Sequence, residues 1–182
     1  MMNATTRPRT RFLLGAALLS TGLLAGAFGY GAANLVPTFD AVPIDMRLDF
    51  HAELMKMNGI TMQAAMAVSA LSALALAALT RGRTRTLTAV AGLLTVASFL
   101  ITRFGNVPIN GRIKQWAATA PPADHAEILQ RWEAFNVART CTALAAFAVL
   151  IWVACAGQDT SQASVTRTPR PARTSRTALN KS

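Results

Sequence analysis

The amino-acid sequence predicts an all-α membrane protein whose four helices form a bundle across the bilayer. Hydrophobic residues make up 52% of the 182 residues and charged residues only 14%, whereas an average soluble domain is about 25% charged. The apolar residues lie in four long blocks, separated by segments that hold nearly all of the charges. Because most of the chain lacks the charged surface that a soluble protein needs, its composition fits lipid as the solvent.

The first apolar block covers about residues 12–36 and follows Arg7, Arg9 and Arg11. A basic start before an apolar run is also typical of a cleaved secretory signal peptide. The apolar run of a signal peptide is about 7–15 residues long, whereas a membrane-spanning helix needs about 20. The length of this block therefore favours a retained membrane helix over a cleaved signal.

Three further apolar blocks are predicted to cross the bilayer. The second block covers about residues 60–79, the third about 87–102 and the fourth about 137–156. A short turn that contains three arginines joins the second block to the third. This tight connection predicts that the second and third helices form an antiparallel hairpin.

On the other side of the bilayer, helices two to four are predicted to extend into an extracytoplasmic cap. Residues 45–58 can continue the second helix outward, with Asp45 as its N-cap. Residues 124–139 carry apolar side chains at helical spacing, directly after a pair of prolines that marks a helix start. The fourth helix would then cover about residues 123–156. It would be roughly 50 Å long, against a hydrocarbon core of about 30 Å.

Composition divides the chain into three parts. Residues 1–11 form a basic amino-terminal segment, residues 12–157 the four-helix transmembrane domain, and residues 158–182 a basic tail. The tail is rich in Ser, Thr, Pro and Arg, and it has too little apolar surface to offset the entropy of folding. We therefore expect a disordered tail.

The distribution of basic residues predicts the orientation, because short loops rich in Lys and Arg stay in the cytoplasm. The amino-terminal segment carries three basic residues, the turn between the second and third helices three, and the tail five. The opposite segments carry seven, mixed with seven of the eight acidic residues. The sequence thus predicts a multi-pass protein of the cell membrane with both termini in the cytoplasm.

Several kinds of partner are disfavoured, although the net charge is +10. The basic residues are not interleaved with aromatic ones in the manner that reads nucleic-acid bases, so no nucleic-acid partner is predicted. Cys141 and Cys155 would lie about 21 Å apart on one helix, beyond disulfide reach, and are interpreted as apolar packing residues. His51, Glu53 and His125 show no metal-binding spacing, so no metal is predicted. Membrane lipid is the expected partner, and the oligomeric state stays open.

Polar residues cluster at the cap ends of the third and fourth helices. In the third helix, Asn106 and Asn110 follow Arg103 at i+3 and i+7, so the three would share one helical face. Pro108 removes a backbone hydrogen bond and should bend the helix there. Polar faces on two adjacent helices predict a polar-walled pocket near the membrane surface. The candidate ligand-binding residues are Asn106, Asn110, Trp116, Trp132, Asn136 and Arg139.

Arg139 is the most informative of these residues. It lies three residues into the fourth apolar block, where an ionised side chain is costly unless it is paired or reaches water. Trp132 and Asn136 share its helical face, at i−7 and i−3. Arg139 could extend outward to the headgroups, or point into the bundle toward Asn110, Asn106 or a bound anion or carbonyl group. We expect the inward orientation, because three polar or amphipathic residues on one helical stripe rarely all face acyl chains.

Three stretches together resemble a known family. They read Asn106-Val-Pro-Ile-Asn110-Gly-Arg-Ile-Lys-Gln-Trp116, then Pro122-Ala-Asp124, then Arg131-Trp132-Glu-Ala-Phe-Asn136-Val-Ala-Arg139-Thr140. This combination resembles the anthrone-oxygenase-like family of small four-helix membrane proteins, many of which have no assigned function. The helix count and the length extend the resemblance through residue 157. Gly111 stands where an acidic residue is common in the family, and His125 where a tryptophan is common.

The resemblance implies an activity, a ligand class and a set of residues. The family's named activity is oxygenation of a polyphenolic anthrone to a quinone without a metal or flavin. The chain would then be a cofactor-independent oxygenase of a small hydrophobic or phenolic ligand. The same pocket would equally suit a lipid or quinone head group bound without chemistry, and a purely structural membrane protein is a third class. The positions that match the family motif are Asn106, Pro108, Asn110, Trp116, Trp132, Asn136 and Arg139.

The predicted orientation can be tested with topology reporters. Reporters fused at Ser182 and near Ala120 should lie on opposite sides of the membrane, because one follows the basic tail and the other lies in the cap. Activity of the Ser182 fusion only on the outer side would show that the orientation is inverted.

Overall fold

The structure, a computed structural model, describes the backbone of residues 6–166 and the side chains of residues 8–156. Within these ranges every regular element is helical, and none is a strand. Two five-residue π-helical turns, Gly31–Leu35 and Thr102–Asn106, interrupt otherwise continuous helices. The α-helices are α1 (Thr6–Tyr30), α2 (Val36–Asp40), α3 (Ile44–Leu79), α4 (Gly82–Ile101), α5 (Val107–Ala118) and α6 (His125–Thr166).

Four helical stretches are long and apolar enough to cross a membrane. They contain 32 to 37 residues each, which corresponds to about 48–56 Å and exceeds the ~30 Å hydrocarbon core. The predicted membrane-spanning four-helix bundle is therefore confirmed, and the excess length accommodates a cap beyond the bilayer. The stretches are Pro8–Asp40, Ile44–Leu79, Gly82–Ala118 and His125–Ala156.

The helices form a ring in which each helix has two neighbours. α1 and α4 each pack against both α3 and α6. Short connections reverse the chain between successive stretches, so neighbours run antiparallel. The α3–α4 turn depends on Gly82, whose φ of 57° lies in the left-handed region that a side chain makes unfavourable. The predicted hairpin between the second and third stretches is thus present.

Three apolar cores lie along the described part of the bundle, and the third, formed by Ala17, Ala91, Ala146 and Leu150, does not line the site described below. The first, which we call the cap core, joins the ends of α2, α3, α5 and α6. The second, the span core, lies between α1, α3 and α6 and contains Leu24, Phe28, Met66 and Ala143. Large apolar side chains also cover the outside of the spans, as a lipid-facing surface requires. The cap core contains Phe39, Leu48, Ile109, Ile113, Trp116, Ile128, Leu129 and Trp132.

Both π-helical turns end two residues before a proline, Pro37 in one case and Pro108 in the other. A proline has no N–H, and in an α-helix its ring would clash with the carbonyl four residues earlier. In each turn a backbone N–H reaches five residues back: Val36 donates to Gly31 O, and Val107 donates to Thr102 O. The additional residue in each turn lets the helix continue past its proline.

Some predicted helix boundaries need correction. Asp45 is not the N-cap of α3, because the helix begins at Ile44 and the cap position is Pro43, with no side-chain cap bond. Asp45 instead lies in the first turn, where its carboxylate complements the helix dipole.

The fourth helix also continues farther than expected. α6 extends to Thr166, so residues 158–166, the first part of the tail predicted to be disordered, are helical. Each residue added to an existing helix gains a backbone hydrogen bond without a new nucleation cost, which favours this extension. The remainder of the predicted tail, residues 167–182, lies outside the described residues, as do residues 1–5 of the basic amino-terminal segment.

The second π-helical turn makes a specific prediction about packing. A methyl group added at Gly105 would lie 2.5 Å from the ring of Phe135 on α6. We expect Gly105→Ala to destabilise the protein by about 1–3 kcal/mol, because the ring must leave its position. Thermal unfolding in detergent measures this effect. Gly111→Ala is the matched control, since nothing lies within 4 Å of its added carbon, and a loss as large as that at Gly105 would contradict the packing argument.

Candidate functional site

A cavity of about 300 Å3 lies at the junction between the cap core and the span core. Phe28 and Met66 of the span core line one end, while Phe39 and Trp132 of the cap core line the other. Both π-helical turns contribute to its walls. Its size is at the lower end of the ~300–1,000 Å3 typical of small-molecule sites.

Arg139 points into the bundle and lines this cavity. Its Nε and Nη2 donate to Asn136 Oδ1 at 3.0 and 2.6 Å, and its guanidinium lies 4.4 Å from the centre of the Phe28 ring. No carboxylate among the described residues forms an ion pair with it. The inward interpretation of Arg139 is therefore the one that the structure supports, although its partner is Asn136 rather than Asn106 or Asn110.

Asn110 presents its amide NH2 group to the cavity because its carbonyl oxygen is already occupied. Asn110 Oδ1 accepts from Trp132 Nε1 at 2.7 Å and lies 3.3 Å from His51 Nε2. A histidine that donates from Nε2 satisfies this geometry, so the hydrogen-bond network assigns the proton to that nitrogen. No described residue accepts from the Asn110 NH2 group, and Asn110 lines the cavity. Because His51 and Trp132 occupy the Asn110 oxygen, the Asn110 NH2 group remains available to a ligand.

Asn136 also lines the cavity, but its polar atoms are not exposed there. The residue is 2% exposed, its Oδ1 accepts both bonds from Arg139, and its Nδ2 atom is buried with no partner among the described residues. Arg139 and Asn110 are therefore the donors available to a ligand. No aspartate or glutamate among the described residues lines the cavity. An oxygen anion or a carbonyl oxygen is the complement of such a set.

His51 stands directly behind Asn110. Its ring stacks on Phe39 with centroids 5.1 Å apart and meets the Trp132 ring edge-on at 4.6 Å. The side chain is completely buried, and its Nδ1 atom has no partner within the described part of the chain. The role of His51, which the sequence left open, is to hold Asn110 and Trp132 in position.

The structure separates the six predicted site residues into two groups. Asn110, Trp132, Asn136 and Arg139 line the cavity, whereas Asn106 and Trp116 do not. Asn106 is buried and donates from Nδ2 to the backbone oxygen of Trp132 at 3.0 Å, so it braces the wall from behind. Trp116 packs in the cap core. Ligand binding by the first group stays a prediction.

One expectation about a polar residue needs revision. Arg103 does not share the buried face of Asn106; it is exposed, because the π-helical turn changes the helical phase assumed for an ideal α-helix. His125 lies at the start of α6, where its Nδ1 is 2.7 Å from Pro122 O, and it does not line the cavity. Among the described side chains, those of residues 8–156, no three of His, Cys, Asp or Glu form a group that could hold a metal ion.

Sequence reasoning missed the aromatic and methionine residues of the cavity. Phe28, Tyr30, Phe39, Met62 and Met66 all line it. Each lies in a helical stretch whose other apolar residues face lipid or a core. The spacing of apolar residues cannot distinguish a side chain that faces a cavity from one that faces lipid or a core. The only available signal was polar spacing at residues such as Trp132 and Arg139, which carries no information about the first helix.

An ion-pair cluster around the buried Arg47 lies in the cap above the cavity. Arg47 on α3 donates from Nη1 to Asp40 at 2.6 Å and from Nη2 to Glu133 at 2.7 Å. Its guanidinium also lies 5.7 Å from the centre of the Phe39 ring. This cluster joins α2, α3 and α6, so it fixes the end of the first stretch over the site.

Comparison with known proteins identifies the family. The model of the family described as anthrone oxygenase matches residues 51–149, more than half of the chain. The chain belongs to the anthrone oxygenase family. The match begins at His51 and includes all six predicted site residues, so the resemblance inferred from the motifs is confirmed. No curated protein and no solved structure matches the chain. The first helix, which supplies Phe28 and Tyr30, precedes the part matched by the anthrone oxygenase family.

The Arg47 cluster gives a testable stability prediction. We expect Arg47→Met to lower the free energy of unfolding by about 2 kcal/mol, because Asp40 and Glu133 lose their partner while the apolar stem is kept. Thermal unfolding in detergent provides the measurement. Lys56→Met is the matched control, since the Lys56–Glu53 pair is exposed and should contribute less than about 1 kcal/mol. Equal effects of the two substitutions would show that the cluster does not stabilise the cap.

Proposed function

We propose that this protein is a cofactor-independent oxygenase that converts a phenolic, anthrone-like substrate into a quinone within the membrane. The observation that carries the proposal is Arg139, a guanidinium without a carboxylate partner among the described residues, facing an aromatic cavity inside the bundle. An unpaired cation in such a place is costly unless a ligand supplies the opposite charge. A phenolate or enolate oxygen is that ligand.

The polar groups are suited to stabilising a substrate anion. Arg139 and Asn110 offer donors at one side of the cavity, and their hydrogen bonds with Asn136 and Trp132 hold these donors in place. Preorganised donors in a water-poor site stabilise developing negative charge more strongly than water does, because they need no reorganisation. These residues would favour loss of a proton from a bound phenol or anthrone.

The remaining lining suits a planar, electron-rich ring system. Phe28, Tyr30, Phe39 and Trp132 provide aromatic surface, and methionines from α3 provide adaptable apolar surface. An anthrone has a reactive CH2 group between two rings, and its anion is electron-rich enough to react directly with oxygen. The protein then needs to bind, orient and ionise its substrate.

The reaction balances without a further reductant. The bound anthrone loses one CH2 proton and becomes an anion, which transfers an electron to O2. The two radicals join in a carbon–oxygen bond, and the resulting peroxide anion takes up a proton. Loss of the second proton from that carbon then breaks the O–O bond, leaving a carbonyl group and releasing water. Overall one CH2 group and one O2 become one C=O group and one H2O.

A second candidate function is binding of a quinone or lipid head group without chemistry. The observation in its favour is that no aspartate, glutamate or histidine lines the cavity, so no conventional base touches the ligand. A carbonyl oxygen would fit the donors of Arg139 and Asn110 as well as a phenolate does. Extraction of small molecules from gently purified protein separates the two functions, since a binding protein would retain its ligand and consume no oxygen.

We also propose that the protein lies in the cell membrane with both termini in the cytoplasm. The basic clusters at the amino terminus, in the α3–α4 turn and in the tail support this orientation. The cap and the cavity would then lie on the outer side, near the headgroups of that leaflet.

Substitution of Arg139 tests the proposed role of its guanidinium. We expect Arg139→Lys to weaken binding of a hydroxyanthrone about tenfold, because an ammonium group cannot keep both bonds to Asn136 and lie flat on Phe28. Oxygen uptake with 1,8-dihydroxyanthrone in metal-free buffer gives the rate and the KM. The rate with Arg139→Met should fall further, since the positive charge is lost as well.

Arg131→Lys is the matched control for this experiment. Arg131 lies two turns earlier on α6, is exposed and does not line the cavity. Its substitution should leave oxygen uptake unchanged. Wild-type protein that consumed no oxygen would contradict the oxygenase, whereas normal uptake by both Arg139 variants would contradict the role given to Arg139.

A further inference from the structure

We propose that the ligand reaches the cavity sideways from the bilayer, through a cleft between the first and third helices that we call the lateral portal. Tyr30 and Gly31 form one rim of the portal, and Asn58 and Gly59 of α3 form the other. This inference rests on the proposed function, because it describes the route of that ligand. It adds that the ligand enters from the lipid and not from the water.

The aqueous side of the cavity is closed by the cap. Arg47 joins Asp40 to Glu133 across three helices above the site. Below this cluster, His51 lies between Phe39 and Trp132 and has no exposed surface. Beyond these residues, the buried side chains of the cap core fill the space toward the water. A ligand arriving from water would have to displace Arg47, Phe39 and His51, all of which are buried.

The side formed by the α4–α5 stretch and α6 is also closed. Asn106 bonds to the backbone of Trp132, and Ser98 bonds to the backbone oxygen of Arg139 at 3.1 Å. Gly105 lies directly against Phe135, with no room for even a methyl group. Toward the middle of the bilayer the span core fills the space. Three directions are therefore blocked by close packing: toward the water, between the α4–α5 stretch and α6, and toward the middle of the bilayer.

The direction between the first and third helices is open. Tyr30 is 62% exposed although it lines the cavity. A methyl group at Gly31 or Gly59 would meet no atom within 4 Å, so neither glycine is covered by a neighbour. Ile60, the residue after Gly59, is 82% exposed. An apolar surface of this kind faces lipid rather than water.

The position and polarity of the portal define the ligand that would use it. The cavity lies between the cap core and the span core, which places it near the headgroup region. Tyr30 and Asn58 supply polar groups at the rim, as is common at this depth. A planar, membrane-dissolved phenol with one polar edge would partition to the same depth. Its ring would pass between the glycines while its oxygen approached Arg139.

A second cavity provides the competing route. It has a volume of about 340 Å3, lies between α3 and the α4–α5 stretch, and is lined by Phe99 and Arg103. Gln63 and Met66 line both cavities, so the two adjoin each other. The experiment must therefore distinguish access past the glycines from access past Arg103.

Quenching by lipid tests the portal without any ligand. Substitutions Trp116→Phe and Trp152→Phe leave Trp132, inside the cavity, as the single tryptophan. Phospholipids with brominated acyl chains should quench its fluorescence through the open cleft. Because a close-packed wall excludes acyl chains, Gly31→Phe or Gly59→Phe should lower this quenching about twofold. Gly26→Phe and Ala67→Phe, at exposed positions on the same two helices outside the cavity lining, should leave it unchanged.

Binding kinetics test the same route with 1,8-dihydroxyanthraquinone, delivered from donor vesicles to proteoliposomes and followed by quenching of Trp132. We expect each glycine substitution to slow association about tenfold while the equilibrium affinity changes much less. Unchanged association in both variants would overturn the portal. So would slowing by Arg103→Trp in place of the glycine variants, or an affinity loss that matched the slower association.

The two proposals fail in distinguishable ways. If wild-type protein consumes no oxygen with an anthrone, the oxygenase is wrong, but lipid quenching of Trp132 still decides whether the portal exists. If oxygen uptake is normal and the glycine variants match wild type in both quenching and association, the portal is wrong and the oxygenase stands.

Discussion

The architecture of the site depends on two missing backbone donors. Pro37 and Pro108 have no N–H to donate to the preceding turn. Each follows a π-helical turn whose additional residue lets the helix continue past the proline. Both turns lie at the level of the cavity and contribute to its walls. Four uniform helices would pack into one continuous core. The two interruptions divide that core and leave space at the division, which is where the polar residues converge.

Around this space, the hydrogen bonds form two layers with different tasks. In the inner layer, Asn110 and Arg139 present donors to the cavity, and Asn136 accepts from the Arg139 guanidinium. The outer layer, in which His51 and Trp132 donate to Asn110, fixes the orientation of that inner layer. An asparagine alone could rotate its amide and present either its oxygen or its nitrogen. Two donors on the oxygen remove that freedom, so the polarity of the site follows from residues behind it.

The sequence predicted the four-helix bundle because a membrane-spanning helix can be recognised from the length and the apolar composition of its segment. It predicted four residues that line the cavity because polar side chains at helical spacing within an apolar block are costly toward lipid and therefore face the inside of the bundle. It failed at Arg103, since an ideal helical period cannot anticipate the additional residue of a π-helical turn. It failed at Phe28 and Met66 because apolar residues that face a cavity resemble those that face lipid. It misplaced Trp116 for a related reason: an aromatic residue in a motif can serve packing alone.

The separation of the two cores has a mechanical consequence. α3 and α6 contribute to both the cap core and the span core, and the cavity leaves a gap in the packing between these cores. A molecule in the cavity would contact Phe39 of the cap core and Phe28 of the span core, and would fill that gap. Occupancy would then stiffen the junction of the two cores, so that a molecule taken up from the lipid would reduce the motion of the cap.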